Sequence, residues 1–345
     1  MKFKKYINLA IGLIFSAGFL LLAFYNIQLS DVLAGFKKFN PWYILPIVLL
    51  TVVYFLIRAF RWGLIFKPHP VPSFKNLFSG VMIGVMVNNL VPAKIGELSR
   101  AFILGKKEKT GISLTFGTII VERIFDFLAL FFCFFAVFIF SPAEREFLNS
   151  TSVAGKTAFV TTLSGFLLLI ILILFFKFRT GLFIKAVESF LGIFSKGLAL
   201  KIGPWFNSFA DGLKCLDSFK NSVEIFATSV LQWALMGFCT WLALISFNIH
   251  GANGAPLSLF SASFVMIIIT LGCVLPPSPG GIGTVQLISV LVLKFYGVSG
   301  GEAMGFSIVQ NFLSFFVGTV LGIIFLFKES LNLTELIKFS EEKKI

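Results

Sequence analysis

The sequence predicts an all-α fold: a polytopic membrane helix bundle of about six full crossings plus two Pro/Gly-broken, re-entrant elements in pseudo-repeated halves. Three observations predict it. The 345 residues are 57% hydrophobic and 13% charged, with a mean hydropathy of +0.94, far from the near-even apolar content and one-quarter charge of soluble domains. Apolar runs long enough to cross hydrocarbon recur along the chain. Two apolar stretches are interrupted by proline and glycine at corresponding places in the two halves. Composition excludes an ordinary soluble enzyme, a secreted domain and a disordered chain. Lys plus Arg number 29 and Asp plus Glu 16, a net charge of +13. The excess reads as positive-inside loop bias rather than as a nucleic-acid footprint, so no nucleic acid is expected as a partner.

The elements follow in order. Lys2, Lys4 and Lys5 precede an apolar run from Ile7 to Tyr25, read as an uncleaved first helix with a cytoplasmic N-terminus. A short loop ends at Asn40-Pro41-Trp42, and a second helix runs from about Trp42 to Phe60. Arg58 and Arg61 stand at its exit, where snorkelling to the interface accounts for them. Leu77–Val91 is apolar but short, carries Gly80, Gly84, Asn88 and Asn89, and breaks at Pro92-Ala93-Lys94-Ile95-Gly96-Glu97. It reads as a hairpin entering and leaving on the cytoplasmic side, tolerated at depth only beside protein or a wet cavity. A long helix spans Ile112 to Phe140, an outer loop Ser141 to Lys156, and a returning helix Thr157 to Phe176. Residues 177–221 mix apolar and basic residues and read as interfacial amphipathic helices on the cytoplasmic face.

The second half repeats the pattern. Glu224 to Phe247 crosses outward, and Leu257–Leu275 is apolar and breaks at Pro276-Pro277-Ser278-Pro279-Gly280-Gly281-Ile282-Gly283. Val285–Phe295 follows, and a last helix spans about Ala303 to Phe327. Residues 1–330 are thus expected to form one integral membrane domain and 331–345 a cytoplasmic tail. The four cysteines, Cys133, Cys215, Cys239 and Cys273, lack disulfide or metal spacing and read as small buried apolar groups.

Chemistry concentrates in few places. Pro92-x-x-x-Gly96 recurs as Pro279-x-x-x-Gly283, with Gly280 and Gly281 between. Paired broken segments point to a transporter's binding site, because a broken helix presents N–H groups and a positive dipole end to an anion. The alternative is two kinks that only shape the bundle. Asn88, Asn89, Lys94, Glu97 and Arg100 crowd the first break. Glu122, Arg123 and Asp126 lie near the middle of the long helix, where charge is costly unless paired or wet. Glu122 and Asp126 share a face, and Lys94 or Arg100 could partner them, either as a binding site or as a structural salt-bridge cluster. Gln286, Gln310 and Asn311 are either cavity residues or interhelical glue. His69 and His250 lack ligand spacing, so no metal site is expected, and the absence of nucleotide and hydrolase motifs predicts no cofactor.

Asn89-Leu90-Val91-Pro92-Ala93-Lys94-Ile95-Gly96-Glu97-Leu98-Ser99-Arg100 resembles the N-x-x-P-x-x-x-G-E-x-x-R motif of flippase-like membrane proteins, the transmembrane region found in lysylphosphatidylglycerol synthases. Glu122-Arg123-x-x-Asp126 resembles that family's E-R-x-x-D motif, and Pro279-Gly280-Gly281-Ile282-Gly283 its late P-G-G-x-G motif. Order and spacing match over nearly the whole chain. The resemblance implies a bundle that moves lipids or lipid-linked molecules between leaflets. Two departures stand out. Gln286 occupies the region where family members often carry Glu, and the chain stops soon after its last helix, so lysine transfer to lipid is not expected.

The resulting expectation is a flippase or transporter of the bacterial inner membrane, not an enzyme, with both termini cytoplasmic. Its partners are membrane lipids with an anionic or lipid-linked head group. Lys94, Arg100 and Arg123 would attract phosphate, while Glu97, Glu122 and Asp126 would position those cations or contact an amine. Two rivals stand beside it. One is an intramembrane lipid-modifying enzyme using Glu97, Glu122 or Asp126 as general base. The other is a non-transporting scaffold for envelope synthesis.

Overall fold

The structure, a computed structural model, describes residues 14, 16–25, 27–91, 95–145, 164–165, 211–212, 214–273, 279–329 and 331. Among the described residues regular structure is helical: α1 (Ser16–Phe24), α2 (Leu29–Lys37), α3 (Ile44–Phe66), α4 (Phe74–Leu90), α5 (Gly96–Lys107), α6 (Ile112–Phe140), α7 (Phe219–Ser246), α8 (Leu259–Gly272), α9 (Thr284–Phe295) and α10 (Gly300–Lys328). Among the described residues, four spans are long and apolar enough to cross a bilayer: Pro41–Phe66, Ile112–Phe140, Phe219–Ser246 and Gly300–Lys328. A fifth arises if α1 and α2, bent by 83° at their junction, count as one. The crossing expected at 157–176 and the interfacial helices expected at 177–221 lie outside the described residues, apart from 164–165 and the stretch from 211 onward.

Three expectations are corrected. The stretch expected as a loop before Asn40 contains helix α2. The second crossing continues to Phe66 rather than Phe60, which moves Arg58 and Arg61 from a helix exit to its interior. Residues 142–145, expected as loop, are helical.

The described chain divides into two compact units: Met1–Ile57 with Val81–Ser99 and Gln232–Ile345, and Arg58–Gly80 with Arg100–Leu231. In the first, α2 lies against the start of α10. A Cβ on Gly35 would come 2.9 Å from the Gly301 carbonyl oxygen, so the small residue permits backbone contact. Lys38 pairs with Glu302 at 2.5 Å beside this contact, and Ser299 caps α10 by accepting the Glu302 N–H. Ala23, Val32 and Met304 form the core there. Farther along α10, Gly318 and Gly322 face α4. A Cβ on Gly318 would lie 2.6 Å from Val85 Cγ1, and one on Gly322 2.6 Å from the Met82 carbonyl oxygen. This is the small-residue spacing that lets membrane helices approach closely.

In the second unit Leu64, Ile65, Val121, Phe125, Cys215, Leu216 and Ile225 form a buried core. The N-terminus of α4 is closed by Glu108, whose Oε1 accepts from Ser73 N and Oγ at 3.1 Å and from Asn76 Nδ2 at 2.5 Å. Burial raises the Glu108 pKa, but the Asn76 and Ser73 donors outweigh it and hold the carboxyl below its ordinary value.

Candidate functional site

The predicted residues form two sets, one in each unit. The first gathers around the two breaks. Pro92 and Lys94 lie outside the described residues, as do the Pro279 side chain and residues 274–278. After the first break the Gly96 N–H donates to Asn88 Oδ1 at 2.7 Å, and the half-buried Glu97 stands in the first turn of α5. After the second, the Gly283 N–H donates to Gln286 Oε1 at 2.7 Å. Each helix restart thus has its leading N–H taken by a side-chain amide, so that donor is already satisfied.

Backbone needs explain the glycines. Gly280, Gly281 and Gly283 have φ of 59°, 70° and 90°, conformations that L side chains resist. A Cβ on Gly280 would also come 2.7 Å from Phe315 Cδ2 and 3.7 Å from the Asn89 carbonyl oxygen. The second break therefore packs beside the end of α4, just ahead of the first. Asn89 is held by α10, donating to the Phe315 carbonyl at 3.2 Å and to Thr319 Oγ1 at 3.0 Å. Gln310 donates to Thr240 Oγ1 at 2.9 Å, and Asn311 is half-buried. For Asn89 and Gln310 these bonds are those of interhelical glue.

The second set is a charged cluster. Thr118, Glu122 and Asp126 recur every four residues on α6 and so share one face, while Arg61 and Trp62 stand three and four residues after Arg58 on α3. Glu122 is fully buried. Its Oε1 receives Arg58 Nε at 2.8 Å, Arg123 Nη2 at 2.9 Å and Arg61 Nη2 at 3.5 Å, and its Oε2 receives Arg100 Nη2 at 2.8 Å. Asp126 takes Arg61 Nη1 at 2.6 Å and Arg123 Nη1 at 3.2 Å. Arg61 Nη1 also donates to Ser229 Oγ on α7 at 2.7 Å. The Arg100 guanidinium lies 4.1 Å from the centre of the Trp62 ring, and the Trp62 indole donates to Thr118 Oγ1 at 3.0 Å. Stacking and forked hydrogen bonds are what arginine, rather than lysine, can supply.

Among the described residues, four guanidiniums meet two carboxylates. Burial is graded: Glu122 and Arg61 are inaccessible, Arg58 and Asp126 are 11% and 16% exposed, and Arg123 is 40% exposed. The group has a closed interior and one accessible edge.

The partner expected for Glu122 is present in Arg100. Arg58 and Arg61, read as snorkelling residues, turn inward instead, because α3 carries on past them and each finds a carboxylate. Trp62, Thr118 and Ser229 also escaped the sequence reading. The signal that could have found Arg58, Arg61 and Trp62 is their three-and-four spacing, which matches a helix face as Glu122 and Asp126 do.

A sequence profile of the lysylphosphatidylglycerol synthase TM region matches residues 9–322. A UPF0104 membrane protein of Methanocaldococcus jannaschii is 28% identical over 328 residues, covering 90% of this chain and 92% of the relative. One from Methanothermobacter thermautotrophicus is 25% identical over 342 residues, covering 94% and 95%. Another, from Pyrococcus horikoshii, is 24% identical over 304 residues, covering 83% and 87%. No solved structure matches the chain. The profile takes in both breaks and the whole charged cluster, and with several bilayer-length apolar helices the chain is a multi-pass membrane protein that belongs to the lysylphosphatidylglycerol synthase TM region family.

Proposed function

We propose that the protein moves a lipid or lipid-linked molecule with an anionic head group between the leaflets of the cytoplasmic membrane, and that the arginine cluster receives that head group. The observation that carries this reading is the meeting, among the described residues, of four guanidiniums and two carboxylates on α3, α5 and α6, with Arg123, Arg58 and Asp126 at the accessible edge. A phosphate there gains charge-assisted, forked hydrogen bonds in a medium of low dielectric. Asp126 is placed to hold Arg61 and Arg123 in position or to meet an amine on a zwitterionic head group.

The protein performs no chemistry on its cargo in this proposal. A general base needs a lone pair free for a proton, and Glu122 already accepts from four arginines. The breaks act as bends that shape the re-entrant elements, since an amide side chain already occupies the leading N–H after each.

The test is transbilayer movement of fluorescent phosphatidylglycerol in proteoliposomes. Replacing Arg58 and Arg123 together by Ala is expected to slow movement about tenfold or more, the loss of one or two charge-assisted hydrogen bonds. Wild-type rates in that variant would remove the cluster from the path. Absence of movement by the wild-type protein, with an altered lipid seen by mass spectrometry, would favour an enzyme. Absence of both, with a stable co-purifying partner, would favour a scaffold.

A further inference from the structure

Two cavities adjoin where α3 ends and α7 begins. The smaller, about 270 Å³, is lined by polar groups that include Lys67, Lys214, Lys220 and Asn221. The larger, about 550 Å³, is bounded mainly by apolar side chains, among them Phe60, Val71 and Phe74. Lys67 and Glu224 line both, so the two cavities meet there. Neither is lined by any member of the arginine cluster, and Lys67 stands six residues beyond Arg61, about 9 Å along the helix.

The smaller cavity carries charge of both signs, with Asp217 and Glu224 beside Lys67, Lys214 and Lys220. Lys214 is engaged by Asp211 at 2.7 Å, whereas Lys67 and Lys220 have no ion-pair partner among the described residues. Asn221 is nine-tenths buried in its wall. Its Nδ2 donates to the carbonyl oxygens of Leu64 and Cys215 at 3.1 and 3.0 Å, which fixes the amide, and its Oδ1 has no donor among the described residues. Lysines suit a phosphate, and an acceptor left without a donor suits a hydroxyl or amine carried next to it. The larger cavity offers apolar walls to a hydrocarbon chain attached to the same phosphate.

We infer that these joined cavities form a phospholipid-binding site separate from the arginine cluster, with the head-group phosphate between Lys67 and Lys220 and an acyl chain along Phe60, Val71 and Phe74. A soluble phosphate ester would leave the apolar cavity empty, and a plain hydrocarbon would leave the lysines without a partner. One molecule carrying both parts satisfies both. The site is a matter of equilibrium binding, so it stands whether or not the arginine cluster passes lipid across the bilayer.

The experiment uses the full chain in phosphatidylcholine nanodiscs containing phosphatidylglycerol with a photoactivatable group on one acyl chain. Labelled peptides are expected from residues 60–77 and 219–228. Replacing Lys67 and Lys220 together by Gln is expected to lower labelling there about tenfold or more, while replacement by Arg retains it. Free glycerol phosphate in excess is expected to leave labelling in place. Equal labelling by photoactivatable phosphatidylcholine, or unchanged labelling in the Gln variant, would reduce the cavities to a surface that any bilayer lipid wets. Displacement by glycerol phosphate would make the ligand a soluble ester. Labels that appear only outside these peptides would overturn the site outright.

Discussion

Glu122 holds four arginines at once, and its removal leaves a buried concentration of positive charge. Breaking a buried ion pair by deleting one partner costs about 3–5 kcal/mol, because the remaining charge keeps its desolvation penalty without its compensation. Glu122→Gln is therefore expected to lower the thermal unfolding midpoint in detergent by a margin that Asp126→Asn, at the accessible edge, does not reach. Equal midpoints in the two variants would mean that the interior of the cluster is wetter than its burial implies. Arg100 and Glu122 were legible as partners because charge at depth demands a counter-charge. Arg58 and Arg61 were not, since arginines at a presumed helix end have two solutions, water or a carboxylate, and hydropathy does not choose between them.

Packing between helices carries a second consequence. Gly318 and Gly322 let α10 approach α4 to backbone distance, and side chains there must displace Val85 or the Met82 carbonyl. Gly318→Val is expected to cost about 1–3 kcal/mol, typical of overpacking, whereas Gly18→Ala, with nothing within 4 Å of its new methyl, is expected to cost far less. Thermal denaturation of both variants checks the contrast. Long helices were easy to read: α6 runs from Ile112 to Phe140, as its largely apolar stretch around Glu122, Arg123 and Asp126 indicated. Helix α2 escaped because its nine residues include Ser30, Asp31 and Lys37 and bury only Val32 and Gly35. Its stability comes from contact with α10, a term that local pattern does not contain.

The net charge of +13 bears on how the chain lies in the membrane. Positive-inside bias predicts that a fluorescent reporter fused after Ile345 folds in the cytoplasm, and that alkaline phosphatase fused within the loop from His250 to Pro256 is active outside. Activity in the opposite pattern would invert the orientation. The breaks were legible as backbone features, because proline and glycine announce them. Their side-chain caps were not, since Asn88 and Gln286 find Gly96 and Gly283 only once the turn has formed. The charged cluster also bears on biogenesis. Arg58 and Glu122 are 64 residues apart, so at about 5–20 residues per second the ribosome takes roughly 3–13 s to supply the acid after the arginine. Over that interval α3 holds two arginines ahead of their acids, and about 2.5–3.5 kcal/mol, the figure for a helix centre, is the upper bound on what inserting each alone costs. The nascent helix therefore gains by waiting beside the insertion machinery until α6 emerges, and the order of synthesis becomes part of how this bundle is assembled.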